Sequence, residues 1–359
     1  MLLQGKNPVK AGERSAASLR AAARPGGLCR LSSLVYYRFA VVKSMAATFN
    51  RIAVIGAGPV GSLLAGHLAL AGKTVFLIDS RRSIIQTIRE QGLTIQRSER
   101  TFTVRPRETC FFAASLERFD AELIVLAVKS YHLETLLAEV ERVFRTGQKV
   151  VIAQNGIDTE ERAADLLGPK NVFRAVINYA GMILGPGVVR MTFFNPPNYV
   201  GALVPERESA ARKVADLFTA AGLETLFTPE IKTFEWIKTI LAAGLMPVCA
   251  TTGLNMQEAM DCEETRYLCE QILAESIAVA SKLGIALGEN FYEKCLSYLS
   301  SAGSHKPSVL VDLEAGNPVE YVFQPIIDYG KKLRTPTPVL ESLTKVLQVL
   351  EKRQRNLRT

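Results

Sequence analysis

Between Arg51 and Asp79 the chain passes from one unbroken β-branched run, IAVIG, through AGPVGSLLAGHLALAG to a second run, KTVFLID. Strand, glycine turn, helix and strand in that order, within about the ~30 residues of a βαβ unit, leave few folds open. Gly56, Gly58 and Gly61 spell GxGxxG at the turn. Gly56 permits a tight turn, Gly58 lets the backbone approach a pyrophosphate, and Gly61 lets the helix pack on the strand with its N-terminus facing the phosphates. The stretch Gly56, Ala57, Gly58, Pro59, Val60 and Gly61 is therefore the candidate dinucleotide-binding loop.

The second run ends in Asp79-Ser80-Arg81-Arg82, which leaves the dinucleotide open. Asp79 is placed to accept from the ribose 2′-hydroxyl of NAD(H) and would repel a 2′-phosphate. Arg81 and Arg82 offer that phosphate charge-assisted hydrogen bonds. The balance tips slightly to NADP(H), with NAD(H) still open.

Further strands are expected at Leu123–Val128, Lys149–Ala153, Val172–Ile177 and Val188–Phe194, with helices near Ser83–Gln91, His132–Phe144 and Thr159–Leu167. Such alternation argues for a doubly wound, mostly parallel sheet. After about Pro229 the rhythm changes to long 3.6-residue periods over Thr233–Cys249, Thr265–Leu283, Glu289–Ser300 and Pro338–Lys352. At 359 residues the chain also exceeds what one core usually absorbs. The expected fold class is α/β: an N-terminal doubly wound Rossmann-type dinucleotide-binding domain over 49–229, followed by an all-helical C-terminal substrate and catalytic domain over 230–352. Residues 1–48 read as a basic extension outside the fold and 353–359 as a tail.

The net charge of +8 is concentrated in the extension, where residues 1–45 set eight Lys and Arg against Glu13 alone. That segment has the composition of a mitochondrial transit peptide. It fits better a dispensable leader before Met45, with the protein cytoplasmic. The nearly neutral remainder has no general electrostatic reason to hold nucleic acid, and no zinc-finger or aromatic-basic pattern supplies a specific one. Six scattered cysteines without a CxxC pair, and His67, His132 and His305 without ligand spacing, argue against a disulfide framework and against a metal site. No apolar stretch reaches the ~20 residues of a membrane helix. The expected partner is a small molecule, and a homodimer is left open.

Three further motifs follow: VKSYH at Val128–His132, AQNGID at Ala153–Asp158 and WIKTILAAGLMPVCATTG at Trp236–Gly253. With KPSVLVDLEAGNPVE at Lys306–Glu320 and TPTP at Thr335–Pro338, in this order over residues 51–352, the chain resembles the ketopantoate reductase family. That resemblance implies NADPH-dependent reduction of a 2-oxo acid, 2-dehydropantoate to pantoate. It assigns Lys238 as the catalytic lysine that protonates the carbonyl oxygen, a role an ammonium can fill as both charge and proton donor. It places Asn155 beside the nicotinamide ribose and substrate, Lys129 in the same cleft, Ser308 on the substrate carboxylate, and Glu320 as the acidic partner of the lysine.

Two departures bear on the substrate. The family carries asparagines four and eight residues after the lysine, on one helix face, where this chain has Ala242 and Met246. A methyl and a thioether in place of two amides predict a more apolar pocket and a different, less hydroxylated 2-oxo acid. The segment after Glu320, Tyr321-Val322-Phe323-Gln324-Pro325, also departs from the family and leaves the alignment of Glu320 loose. A dinucleotide-binding sensor or assembly protein with little turnover is the alternative from another class.

Overall fold

The computed structural model of the chain describes residues 49–356, so the basic extension and the last three residues lie outside the described part. Its first half runs β1 Arg51–Ile55, α1 Pro59–Leu70, β2 Thr74–Ile78, α2 Arg82–Gln91, β3 Leu93–Gln96, β4 Thr101–Val104, β5 Glu108–Cys110, β6 Leu123–Leu126, α3 Leu133–Val143, β7 Lys149–Ile152, α4 Thr159–Leu167 and β8 Val172–Val176. There follow β9 Tyr179–Gly185, β10 Val188–Phe194, β11 Asn198–Ala202, α5 Glu208–Ala220 and β12 Thr225–Phe227. The rest is helical: α6 Ile231–Thr252, α7 Met256–Asp261, α8 Glu263–Lys282, α9 Phe291–Ser300, α10 Ser308–Glu314, α11 Gln324–Leu333 and α12 Pro338–Asn356.

The main sheet has eight strands in the order β12-β11-β8-β7-β6-β1-β2-β5, parallel throughout except where β11 meets β8. Period-two alternation sends Ile52, Val54, Leu77 and Val125 to the core under α1 and α5, and Ala53, Ile55, Ile78 and Leu126 to the core under α3 and α4. Burial on both faces explains the unbroken apolar runs, and each buried Val or Ile contributes roughly 1.5–3 kcal/mol. Ile55 lies beside both Ile78 and Leu126, and Leu126 beside Ile152. This register aligns the strand ends that carry Gly56, Asp79, Lys129 and Asn155 on one edge, where doubly wound sheets bind ligands.

Val188–Phe194 does not join that sheet. It forms a second sheet, β4-β3-β10-β9, pairing antiparallel with β9 across the Gly185–Gly187 turn and parallel with β3. Its residues are mostly exposed or half-buried, as suits a sheet covered on one face, and this separates it from the parallel core. The short strands β3, β4, β5, β9, β11 and β12 and the helices α5, α7, α10 and α11 are additions to the elements that periodicity predicts. The ninth helix starts at Phe291 rather than Glu289, because Asn290 takes a left-handed conformation, φ +50°. The twelfth continues past Lys352 to Asn356.

All described residues fall in one compact unit. Helix α6 makes this so, packing on β8 and β11 as well as on α8, α10 and α12. It has the length and apolar content of a membrane span, yet most of it is interior, with Trp236, Ile240, Ala243 and Val248 in the helical core.

Candidate active site

The glycine loop has the geometry its spacing predicts. Gly56 sits at φ +109°, and a Cβ there would lie 2.6 Å from the Ala127 carbonyl oxygen. A Cβ on Gly61 would lie 1.9 Å from the Gly56 oxygen, so helix and strand touch through backbone alone. Gly58 differs: a Cβ would meet nothing within 4 Å, so the outer side of the loop is open. No side chain caps α1, whose first residue is Pro59. First-turn N–H groups without a cap, facing open space, fit the phosphates of a dinucleotide.

Asp79 and Arg81 are partners rather than rivals. Asp79 accepts from the Ala57 N–H at 2.7 Å, and from the Arg81 N–H and both Nε and Nη2 at 2.8–2.9 Å. Burial would raise the Asp79 carboxyl, but the Arg81 hydrogen bonds outweigh it and hold it below the ordinary range. The acid thus braces the glycine loop from below. Arg82 points elsewhere, its guanidinium 5.4 Å from the Phe111 ring centre.

Across the strand ends lie two linked groups. Lys129, just past β6, donates from Nζ to Asp312 at 2.7 Å and lies 3.4 Å from Glu320. Burial opposes its charge, but Glu320 and Asp312 outweigh that and raise its pKa. Glu320 also accepts from the Ser130 N–H at 2.6 Å, and it stands in the loop before α11 rather than at a helix start. The lysine it contacts directly is therefore Lys129. Lys238, on α6, donates to Asn155 Oδ1 at 2.8 Å and to the Ile177 carbonyl. Burial first, and then the Arg174 guanidinium, pull its pKa down to about 7, while Glu320 works the other way.

Ala242 and Met246 follow Lys238 at four-residue intervals on α6, and both are half-buried. Ser308 is the exposed first residue of α10, and Asp312 follows it at the same interval. The structure brings Lys238 to Asn155, Lys129 to Glu320, and Asp79 to Ala57 and Arg81. It shows no direct contact from Ser308 or Arg82 to any of them.

Sequence reasoning missed Asp312 and a buried ionic cluster behind the site. Arg174 in β8 is 2% exposed and pairs with Glu235 of α6 and with Glu160 of α4 at 3.4 Å. An arginine inside the buried run VFRAV was the available signal, since a buried charge requires a partner. Asp158, Glu160 and Glu161 bring carboxylate oxygens within 4.8 Å of one another. Lys232 Nζ lies 2.5–2.7 Å from all three, so an ammonium fills the place a metal cation would take.

Two family descriptions match this chain: ketopantoate reductase PanE/ApbA over residues 52–204, and its C-terminal part over 230–351. The chain belongs to the ketopantoate reductase family. A 2-dehydropantoate 2-reductase of Mesorhizobium japonicum is 25% identical over 323 residues, covering 84% of this chain and 97% of the relative. The crystal structure of a PanE/ApbA family ketopantoate reductase from Ralstonia eutropha superposes with a TM-score of 0.78 at 24% identity, over 85% of this chain and 99% of that one. A D-mandelate dehydrogenase solved with NADH and anilino(oxo)acetate shares the fold, with a TM-score of 0.77 at 24% identity over the same shares.

Proposed function

We propose that the chain catalyses reduction of the carbonyl of a 2-oxo acid by a reduced nicotinamide dinucleotide, giving the 2-hydroxy acid. The observation that carries this reading is the pairing of Lys238 Nζ with Asn155 Oδ1 at 2.8 Å, on the edge where the glycine loop opens. A bound reduced dinucleotide supplies the hydride. The loop Gly56–Gly61 holds its phosphates, and Lys129 and Asn155 line the path beyond them. Lys238 donates a proton to the carbonyl oxygen as the carbon accepts the hydride, so the alkoxide never develops full charge. A pKa of about 7 leaves that proton ready to move near neutrality. Asn155 and the Ile177 carbonyl fix the direction of the ammonium, and Ser308 receives the substrate carboxylate. Glu320 acts on Lys238 through space, opposing the loss of its proton, and holds Lys129 directly.

Family membership favours 2-dehydropantoate as substrate and NADPH as reductant. Ala242 and Met246 favour a second reading on the same chemistry, a 2-oxo acid with an apolar chain. NADPH keeps its slight advantage through Arg81, which Asp79 has to release to a 2′-phosphate, while Arg82 lies over Phe111. Following the loss of reduced-nicotinamide absorbance with 2-dehydropantoate and with 2-oxoisovalerate, which lacks its hydroxymethyl group, tests both readings. Turnover of neither, with NADPH bound, would leave a dinucleotide-binding protein without this activity.

A further inference from the structure

Resting on the reading of Lys238 as the proton donor, we propose that Arg174 is a positioning residue for the reaction: one buried guanidinium sets both the turn that carries Asn155 and the helix that carries Lys238. Arg174 binds three carbonyls at the end of β7 and in the turn that follows it. Its Nη1 donates to Ile152 O at 3.0 Å and Gln154 O at 2.7 Å, and its Nη2 to Gly156 O at 2.9 Å. Asn155 is thus gripped on both flanks by the planar fork, which a flexible ammonium could not reproduce. The opposite edge of the guanidinium, Nε, donates to Glu235, which stands one helical turn before Lys238 on α6. Turn and helix, 83 residues apart in sequence at the Lys238–Asn155 contact, are therefore referred to one atom group.

The cation also acts on Lys238 through space. The charged groups that face this lysine are Arg174 from β8, which disfavours its proton, and Glu320 from the loop before α11, which favours it. Glu160 of α4 and Glu235 of α6 pair with Arg174, and Lys232 of α6 pairs in turn with both of these acids. Neutralising Arg174 removes a repulsion, so Lys238 keeps its proton to higher pH.

Two variants test this, each assayed with NADPH and the better of 2-dehydropantoate and 2-oxoisovalerate. Arg174→Gln with Glu235→Gln removes the charge from both partners, so that no unpaired acid is left by the first change alone. It should lower kcat by about 10²-fold through misplacement of the reacting groups, move the alkaline limb of the kcat profile up by about one pH unit, and leave the NADPH Kd within about threefold. Arg174→Lys keeps the charge and loses the fork. It should leave the limb in place and lower kcat by about tenfold. A folded double variant with wild-type kcat and an unmoved limb overturns the proposal, and so does a loss that disappears at saturating NADPH. If the double variant does not fold, Arg174→Lys decides by itself, wild-type kcat refuting the role and a fall at unchanged NADPH Kd supporting it. Lys238→Ala is the control for the parent reading. Undiminished turnover there sinks the lysine mechanism, whereas a dead Lys238→Ala beside unaffected Arg174 variants sinks the positioning role alone.

Discussion

At the end of β1 the site is made of backbone, and at the start of α6 it is made of side chains. The loop Gly56–Gly61 needs only three glycines within six residues and an acid, Asp79, that ties the Ala57 N–H from beneath. The chemical end draws Lys129, Asn155, Arg174, Lys238, Asp312 and Glu320 from separate segments of the chain. The backbone site is held by close approach, since no side chain has room at Gly56 or Gly61. A side-chain site is rigid only if every contributor is held, which is why ionic clusters stand behind it.

The contrast breaks most visibly at Lys238. Lys238→Ala should lower kcat by ~10²–10⁴ while reduced-dinucleotide affinity stays unchanged, because the loop that holds the phosphates lies elsewhere. Steady-state kinetics with a parallel binding titration checks it, and a weakened NADPH affinity of the same size would merge the two ends. The pH profile separates them next. The proton donor must be protonated, and its pKa is lowered to about 7, so kcat should be level below that pH and fall about tenfold per unit above it. NADPH binding should show no such limb.

Within the backbone end, Gly61→Ala and Gly58→Ala should part company. A Cβ on Gly61 collides with the Gly56 carbonyl and should cost about 1–3 kcal/mol, lowering Tm, whereas a Cβ on Gly58 meets no protein atom. The Gly58 variant should keep its Tm and bind NADPH about tenfold more weakly, because the methyl occupies space meant for the pyrophosphate. Equal melting of both variants would show that the close approach at Gly61 is not needed.

Substrate choice comes after these. Ala242→Asn with Met246→Asn should raise the ratio of kcat/KM for 2-dehydropantoate over 2-oxoisovalerate by about tenfold, by restoring partners for the hydroxyl. An unchanged ratio would mean that this face of α6 does not read the substrate. The smallest effect belongs to Arg81→Ala, which should weaken NADPH by only about threefold relative to NADH, since a half-exposed arginine already committed to Asp79 has little to offer a phosphate. Competition of the two reduced dinucleotides for one site measures this directly.

Local pattern made the βαβ unit, the glycine loop and the long helices readable, because each is a periodicity or a backbone need expressed over consecutive residues. Lys238, Asn155 and Glu320 were readable through motif and order rather than through physics. Nothing in the neighbourhood of Glu320 announces that it accepts from Ser130, 190 residues earlier in the chain. Val188–Phe194 reads as a strand of the parallel sheet but pairs in the second one, because a strand pattern does not name its partner. Arg174 is hard to read for a related reason: an odd charge inside VFRAV is informative, but its counterions sit 14 residues behind it and 61 ahead, on two helices.

The long helix α6 carries one more residue whose position matters. Trp236, the sole tryptophan in the sequence, is 2% exposed and stands two residues before Lys238, with the Tyr329 ring 5.7 Å away. Because the same helix packs on the sheet and on the bundle, loosening of either layer alters the surroundings of one fluorophore. The chain therefore contains its own optical reporter. Emission from Trp236 registers unfolding of both layers as a single transition if they melt together, and as two if the bundle lets go of the sheet first.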